Sequence, residues 1–396
     1  MSPVTQTETT TTALPAGHEG PAIDACAFHE WSVPEDLTEY LEPGWRQAIL
    51  RPGDRGGPIG LKAKWLYEDP RGAFRSDAYP ATGVPGSDPT MTAAHVLDRC
   101  SCDRAVLGYH DGLLATAINN YLLARVVTRT ANHWTIDRWF ARDPRFHGQV
   151  LVCGSVPETA ATDVREFGAH PRMVGVAVGT NGLGRGFGHA VYQPIHQAAT
   201  ELGLPLVLQV GSDAVSSLDA TPTAGGLPAT YAQYETHAAH AMMGHVASLI
   251  MQGVFERFPS LRVLCVGGGA MWLPAFAWRM DYWFKTNFQE APWLTRLPSE
   301  YLLEHVRVGT HSLEKPRQVE RLEAALRTWP GFERQLVYTS AYPLRTSESP
   351  TSISGRLPVE WHPAVFRDNA ADLFRFAEPA MPGTSAGGTG APERSS

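Results

Sequence analysis

The sequence lacks an excess of basic residues, and this absence excludes one class of partner. It contains 33 Lys and Arg against 40 Asp and Glu in 396 residues, a formal net charge of -7. Proteins that bind nucleic acids neutralise phosphates with clustered Lys and Arg, and no such cluster occurs along this sequence. We therefore expect no nucleic-acid partner.

Long hydrophobic runs and cysteines are also scarce. The longest apolar runs, such as residues 204–208, are far shorter than the roughly 20 residues that a membrane-spanning helix needs. The N-terminal segment is rich in threonine and has no basic stretch followed by an apolar core, so we expect no secretory signal. Five cysteines, an odd number, fit a reducing compartment better than a disulfide framework. These absences predict a soluble, cytoplasmic protein with no membrane association.

The segments that are present alternate between short apolar runs and longer amphipathic ones. We expect disordered tails over residues 1–20 and 379–396, where Thr, Gly, Ser and Pro predominate. Between the tails, strands are predicted at Ala22–Phe28, Arg104–Tyr109, Gln149–Cys153, Met173–Val178, Pro205–Val210, Arg262–Val266, Val306–Thr310 and Gln335–Ser340. Helices are predicted at Ala115–Phe140, Val191–Leu202 with Gly203 as the C-cap, Thr230–Phe258, Leu273–Phe284, Val319–Arg327 and Ala364–Phe376.

Eight strands alternating with helices are typical of an α/β protein with a single TIM-type (β/α)8 barrel, which we place at residues 21–378. A doubly wound sheet is the competitor, but no G-x-G-x-x-G motif follows an early strand. Two long segments interrupt the alternation. Residues 42–98 form an insertion after the first strand, and residues 211–229 form a loop after the fifth. Both would lie on the carboxyl-terminal face of a barrel, where such segments act as lids or as subunit contacts.

Several motifs resemble the amidohydrolase-2 branch of the amidohydrolase superfamily, the ACMSD-like decarboxylases and hydrolases. The long middle match is the most specific, and the motifs follow in the family's order over most of the chain. They are Ile23–Asp24, Val33–Leu37, Tyr40–Leu41, Gly244–Ile250, Gly253–Val263, Gly267–Pro274, Trp278–Asp281 and Ser340–Pro343. The resemblance implies a barrel enzyme, often dimeric, whose chemistry needs a divalent metal held at the strand ends.

The positions that the resemblance assigns to metal ligands carry other residues in this chain. After the first strand, one register places Cys26 and Phe28 at the ligand positions, and a register shifted by one places Ala27 and His29 there. Neither register supplies a pair of ligands. The remaining three ligand positions hold Gln209, Gly267 and Ala341. We therefore predict that the metal site is lost and that no other cofactor replaces it.

Losing these ligands would leave a more apolar pocket. Burial in such a pocket raises the pKa of carboxylic acids and lowers the pKa of histidines, so both favour their neutral forms. The pocket is predicted to include Cys26, Phe28, Gln209, Trp272, Ala341 and Tyr342.

Five residues are candidates for acid–base chemistry in this pocket. His29 and His311 directly follow strands, at the face where barrels carry their chemistry. Asp24 lies on the first strand, Asp213 lies in the loop after the fifth, and His237 shares a helix face with His240. Each has a plainer alternative: a hydrogen-bonded structural histidine, a carboxylate that binds backbone groups, or a solvated loop residue.

Two classes of function follow from these features. The first is a metal-independent acid–base enzyme that acts on a small apolar or aromatic substrate by dehydration, cyclisation, isomerisation or decarboxylation, in specialised metabolism. The second is a non-catalytic pseudoenzyme subunit that partners an active homologue. Because the family that the chain resembles is often dimeric, we expect a homodimer or a heterodimer with a paralogue. A metal-dependent hydrolase or decarboxylase remains only if unusual ligands, such as Cys26, His29, His237 and His311, converge.

The lost ligands lead to a prediction about metal content. We expect the protein, purified without chelator and without a nickel column, to hold far less than one zinc or manganese ion per chain. Plasma mass spectrometry against total protein measures the ratio. A stoichiometric content of either metal in the folded protein would contradict the prediction.

Overall fold

A computed structural model of the chain describes residue 18 and residues 20–49, 71–118, 120–179, 184–209 and 228–376. Eight strands in these ranges form one parallel sheet in the order of the sequence. They are β1 (Ala22–Phe28), β2 (Cys102–Gly108), β3 (Phe146–Leu151), β4 (Met173–Gly179), β5 (Leu206–Gln209), β6 (Val263–Val266), β7 (Val306–Gly309) and β8 (Leu336–Val337). Most strand residues are apolar and buried, because a parallel sheet is covered on both faces. The predicted (β/α)8 fold and all eight strands are confirmed.

The sheet closes into a barrel where the segment after β8 meets β1. The Ala25 N–H donates to the Tyr338 carbonyl at 2.9 Å, and the Ala341 N–H donates to the Cys26 carbonyl at 3.0 Å. The Phe28 N–H donates to the carbonyl of Tyr342 at 2.6 Å. Because β8 has only two residues, these irregular bonds hold the seam instead of a regular ladder.

Helices between the strands surround the barrel. They are α1 (Pro43–Ile49), α2 (Pro89–Thr92), α3 (Tyr121–Trp134), α4 (Pro157–Gly168), α5 (Gln193–Leu202), α6 (Tyr231–Met251), α7 (Val254–Arg257), α8 (Trp272–Thr286), α9 (Pro298–His305), α10 (Val319–Leu326), α11 (Pro350–Ser354) and α12 (Asn369–Phe374). Both α2 and α3 continue as π-helix, over Ala93–Asp98 and Thr135–Phe140, and a third π-helix at Ala364–Asp368 precedes α12. Short 3₁₀ helices connect other elements, at Pro34–Tyr40, Ser76–Ala78, Asp111–Ala117, Ala190–Tyr192, Phe288–Glu290, Phe332–Arg334 and Val359–Trp361.

The helix ends follow local chemistry. Gly203 ends α5 with φ of +65°, which confirms the predicted C-cap. The predicted helix at 230–258 begins as expected after Thr230, but Gly253, with φ of +69°, divides it into α6 and α7. Helices α1, α2, α4, α9 and α11 were not among the predicted helices.

The apolar side chains of the sheet separate into an outer and an inner cluster. The outer cluster joins the strands to the helices. The inner cluster fills the barrel lumen and takes alternate residues from most strands, such as Val106, Val207 and Val337. This alternation is the ordinary consequence of successive side chains pointing to opposite faces of a strand.

The C-terminal helix closes the lower end of the lumen, at the amino ends of the strands. Leu373 and Phe374 of α12 belong to the inner cluster, and Phe374 lies against Gly175 near the start of β4. Because side chains fill this end in the described part of the chain, a ligand of the lumen would have to approach from the opposite, carboxyl-terminal face.

The predicted insertion at 42–98 is described in part, as residues 42–49 and 71–98. Phe74 forms an isolated antiparallel bridge with Leu344 beyond β8, so the insertion reaches the carboxyl-terminal face. Residues 50–70, most of the loop at 211–229 and both predicted tails except residues 18 and 20 lie outside the described residues.

None of the helices in the described ranges combines the length and the apolar character that crossing a membrane would require.

The position of α12 predicts that Phe374 stabilises the barrel. Phe374→Ala should lower the free energy of unfolding by about 3–5 kcal/mol, because it opens a cavity beneath the lumen. Chemical denaturation measures the change. The control Tyr282→Ala on α8, where Tyr282 is 64% exposed, should change stability by less than about 0.5 kcal/mol. Equal effects of both substitutions would contradict the assignment.

Candidate active site at the mouth of the barrel

The upper part of the lumen carries a group of polar side chains from three strands. A Cβ atom placed on Gly108 would lie 3.0 Å from Cys26 Sγ, 3.3 Å from Gln209 Oε1 and 3.5 Å from Gln149 Nε2. All three side chains are buried, and Gln209 Nε2 donates to the carbonyl of Tyr109. A thiol and two carboxamides thus meet on the side of the barrel where such folds carry their chemistry.

An irregularity in β1 determines which of its side chains enter the lumen. The pairing of β1 with β2 slips between Asp24 and Ala27. Cys26 and Phe28 consequently belong to the inner cluster, and Ala27 belongs to the outer one. Of the two registers considered from the sequence, the one with Cys26 and Phe28 facing inward is the one that the structure adopts.

Asp24 does not take the acid–base position that the sequence suggested. Its Oδ1 accepts hydrogen bonds from the backbone N–H groups of Cys26, at 3.1 Å, and Ser340, at 2.9 Å. Burial raises the pKa of Asp24 to about 6, although the bonds from Ser340 and Cys26 oppose that rise. Asp24 therefore fastens β1 to the segment after β8, which is the structural alternative for this residue.

His29 is also placed away from the mouth. Because it follows Phe28 on the strand, it points outward and stacks against Trp134. Its Nδ1 donates to the Gly108 carbonyl at 2.6 Å, and its Nε2 lies 2.7 Å from the Thr135 hydroxyl. Burial lowers the pKa of His29 to about 3. The expectation that His29 acts in catalysis is therefore corrected: it is a neutral histidine between the barrel wall and α3.

The polar atoms in the lumen do not fit a zinc or manganese site. Burial and the nearby Asp24 carboxylate raise the pKa of the Cys26 thiol well above its usual range, and metals bind the thiolate. The carboxamides of Gln149 and Gln209 are neutral, weak ligands. Within the described ranges, no group of three or more His, Cys, Asp or Glu side chains could hold a metal ion.

A second polar cluster lies just above, where β1 and β2 end. The carboxylate of Glu30 accepts hydrogen bonds from three successive backbone N–H groups, those of His110, Asp111 and Gly112, at 2.8, 2.7 and 3.1 Å. The Nδ1 atom of His110 lies 3.1 Å from Oδ1 of Asp111. Glu30 thus fixes the turn after β2, and that turn presents the His110–Asp111 pair at the mouth.

The charges of this cluster stabilise a protonated His110. Burial alone would lower the pKa of His110, but the hydrogen bond with Asp111 and the negative charges of Asp111, Glu30 and Glu235 together raise it above its ordinary value. Glu235 is near the start of α6, so a third element contributes to this field. Burial and the Asp111 carboxylate raise the pKa of Glu30 in turn.

His311 lies two residues beyond the end of β7, and its surroundings lower its pKa, whereas those of His110 raise it. It is buried, its Nε2 lies 3.0 Å from the Thr346 hydroxyl, and its Nδ1 has no hydrogen-bond partner among the described residues. Burial lowers the pKa of His311 to about 4, and the charges of His110 and Lys315 also lower it, although Glu348 opposes them. The two histidines are therefore close enough to interact and are biased toward different protonation states.

Aromatic rings form the wall beside these histidines. The ring centroid of His110 lies 5.6 Å from that of Phe28 and 5.9 Å from that of Phe74. Phe28 comes from the lumen and Phe74 from the insertion. This wall is a surface that suits a flat apolar or aromatic ligand.

The remaining residues predicted for the site are dispersed. His237 on α6 has its Nδ1 3.1 Å from Nδ1 of His240, as their shared helix face suggested. Trp272 begins α8 and donates from Nε1 to the Gly269 carbonyl at 3.1 Å. Ala341 lines the lumen. Asp213 lies outside the described residues.

Tyr342 faces away from the lumen, which corrects its assignment to the substrate pocket. Its hydroxyl lies 3.1 Å from Nδ1 of His95 and lines a separate cavity of about 450 Å³ between the π-helix after α2 and the segment after β8. The left-handed φ of +52° at Ala341 changes the chain direction there.

Sequence reasoning missed Glu30, His110, Asp111 and Gln149. The predicted second strand ends at Tyr109, so His110 directly follows a strand, as His311 does. The same reasoning could therefore have selected His110. Glu30 had no such signal, because its role depends on a turn 80 residues away in the sequence.

A comparison with protein families identifies the chain. The family model described as amidohydrolase matches residues 108–376, which is more than half of the sequence. The chain belongs to the amidohydrolase family. This result confirms the resemblance that the sequence motifs predicted. No curated protein matches the sequence of this amidohydrolase.

Solved structures with the same fold include decarboxylases. A 5-carboxyvanillate decarboxylase from Sphingomonas paucimobilis shares 19% identity and a TM-score of 0.62, over 89% of this chain and 99% of its own. An amidohydrolase from Mycobacterium avium subsp. paratuberculosis shares 17% identity and a TM-score of 0.68, over 90% and 100%. A 5-carboxyvanillate decarboxylase from Novosphingobium aromaticivorans, solved with manganese and 4-hydroxy-3-methoxy-5-nitrobenzoic acid, shares 18% identity and a TM-score of 0.63, over 90% and 96%.

The geometry of the cluster predicts that Asp111 raises the pKa of His110. Asp111→Asn keeps the shape of the side chain and removes its charge, so the pKa of His110 should fall by about one pH unit or more. An NMR titration of isotope-labelled histidines measures it. The control Asp103→Asn, at the other end of β2, should leave the pKa unchanged. An unaltered His110 titration in the Asp111 variant would show that the pair does not form.

Proposed function

We propose that this amidohydrolase is a metal-independent enzyme that moves protons between its mouth histidines and a small aromatic or apolar substrate. In this scheme His110 is the acid and His311 is the base. The observation that supports it best is that His110 and His311, which follow strands on the same face of the barrel, interact electrostatically and have opposite pKa shifts. Environments that separate the pKa values of two nearby groups are how active sites assign acid and base roles.

The atoms available for proton transfer follow from the hydrogen bonds. Asp111 holds Nδ1 of His110, which leaves Nε2 of His110 to exchange a proton with a ligand. In His311, Nε2 lies by Thr346 and the buried Nδ1 has no partner in the described structure, so Nδ1 is the atom that can accept a proton. Glu30 positions the turn that carries His110 and adds negative charge that favours its protonated form.

The substrate class is inferred from the wall of the site and from the family. Phe28 and Phe74 flank His110 and suit a flat ring. The decarboxylases with this fold are named for hydroxylated aromatic acids. Acid–base chemistry without metal at such a site suits a lyase or isomerase reaction: dehydration, cyclisation, isomerisation or decarboxylation. The dimer expected from the family resemblance stays a prediction.

The proposal is tested by hydrogen–deuterium exchange on a simple aromatic probe. In D₂O, the protein should speed exchange of the ring protons of resorcinol, because exchange needs a base and an acid at the same carbon. His110→Gln and His311→Gln should each lower the exchange rate by about 10²-fold or more. Proton NMR of the probe, with the protein in EDTA, gives the rates.

The pH profile of the exchange rate adds a second test. The rate should rise through about pH 4 as His311 loses its proton. It should fall above neutral pH as His110 loses its own, because the pKa of His110 is raised. Asp111→Asn should move the alkaline limb to lower pH.

The matched control is His133→Gln on the exposed face of α3, which should leave the rate unchanged. Exchange that appears only when manganese or zinc is added would support a metal-dependent enzyme instead. No exchange with resorcinol, together with a paralogue that co-purifies with the chain, would favour the pseudoenzyme subunit.

A further inference from the structure

A cavity outside the barrel lumen lies between the insertion, the π-helix after α2 and the start of α11. Its volume is about 450 Å³, which is within the range of small-molecule sites. Phe74 of the insertion faces His110 at the mouth, whereas the next residue, Arg75, lines this cavity. We call it the arginine cavity. A ligand bound in it would not occupy the site of the proposed function.

Two arginines of the wall share one carboxylate. Arg75 binds Asp77 through Nε and Nη2, both at 2.8 Å, and Nη1 of Arg99 lies 3.4 Å from Oδ2 of the same Asp77. The side chain of Arg99 is 61% exposed, so its guanidinium group is accessible. Burial lowers the pKa of His95 in the same wall, and Arg99 and Arg75 lower it further, although Asp77 opposes them. The field at His95 is therefore positive.

The acidic groups around the cavity leave this positive charge in place. Glu348, which lines the cavity, is already paired with Lys315 at 2.6 Å and with Arg356 at 2.7 Å. Burial and the carboxylate of Asp24 raise the pKa of Cys100 in the wall, whereas the arginines lower it. The side of the cavity that carries the arginines is therefore suited to an anion.

Hydroxyl groups supply further hydrogen-bond donors. Ser347, Ser349, Thr351 and Ser352 line the cavity from the segment after β8 and from α11. Oγ of Ser347 accepts from Nη1 of Arg75 at 3.4 Å, and Oγ of Ser349 accepts from the N–H of Ser352 at 3.2 Å. A hydroxyl that accepts one hydrogen bond still has its own proton to donate. Both serines can therefore donate to a ligand.

We propose that the arginine cavity binds a phosphate group. Guanidinium and hydroxyl groups are good partners for phosphate oxygens. A phosphate has more oxygens than a carboxylate and a charge of about −1.5 to −2 at neutral pH, so it can use Arg99, Nη1 of Arg75 and the serine hydroxyls together. The cavity also has room for a small organic group, whose own hydroxyls would bond to the remaining serines. A small phosphate ester therefore fits better than free phosphate.

The test compares glycerol 3-phosphate, inorganic phosphate and glycerate by isothermal calorimetry on the full chain, at neutral pH and constant ionic strength. Glycerol 3-phosphate should bind at one per chain and about tenfold or more tighter than glycerate, which carries a carboxylate instead. It should also bind more tightly than inorganic phosphate; equal binding of the two would assign the site to free phosphate. Glycerate that binds as tightly, or no saturable binding of either phosphate compound, would overturn the proposal.

Variants test whether the phosphate binds in this cavity. Arg99→Gln should weaken glycerol 3-phosphate binding about tenfold or more, because it removes a charged donor. Thr351→Trp should weaken it by filling the cavity from an exposed position of the wall. The control Arg321→Gln, on the exposed face of α10, should leave the affinity unchanged. All three should keep the melting temperature of the wild type within about two degrees, since each changes an exposed side chain. Wild-type affinity in both cavity variants would overturn the proposal.

The titration of His95 reports on the ligand directly. A phosphate beside Arg99 and Arg75 adds negative charge near the ring and favours its protonated form, so the pKa of His95 should rise when glycerol 3-phosphate saturates the protein. NMR of isotope-labelled histidines measures the rise, and His133 on α3 should keep its pKa. An unchanged pKa of His95 in the saturated protein would place the ligand elsewhere and overturn the proposal. None of these measurements needs turnover, so they stand independently of the exchange assay.

Discussion

The seam between the first strand and the segment after the last strand depends on the buried carboxylate of Asp24. This side chain accepts two backbone N–H groups, from Cys26 and Ser340, where the ladder is irregular. Without it those groups would be buried and unpaired, at a cost of about 1–3 kcal/mol each. The same irregularity turns Cys26 and Phe28 into the lumen and His29 out of it. The region of β1 that closes the barrel therefore also determines which side chains line the site.

The consequence is a lumen with neutral polar groups where the family fold implies a metal. Carboxamides, a thiol and a phenyl ring supply hydrogen bonds and apolar surface but little charge. The charge is located above: Glu30, Asp111 and Glu235 interact with His110, and His110 in turn interacts with His311. A site of this kind can still polarise a substrate, because side chains held in a low-dielectric environment exert strong fields.

The helices and insertions support the mouth in different ways. The C-terminal α12 fills the lower end of the lumen. Part of the insertion brings Phe74 beside His110, and α6 brings Glu235 near the same ring. Residues from distant parts of the chain thus define the shape and charge of the mouth, and the β1–β2 turn held by Glu30 orders its centre.

The sequence alone determined the strands, most helices and the family, because these depend on local patterns: apolar runs, helical spacing, a glycine cap and ordered motifs. It also led to the prediction that the usual metal ligands are replaced, and to the selection of His311 as a candidate because it follows a predicted strand. Only the tertiary structure decided which side chains enter the lumen. The irregularity in β1 placed Asp24 in the seam and His29 outside it. The cluster of Glu30, His110 and Asp111 depends on hydrogen bonds between turns that are far apart in the sequence, and periodicity carries no information about such contacts.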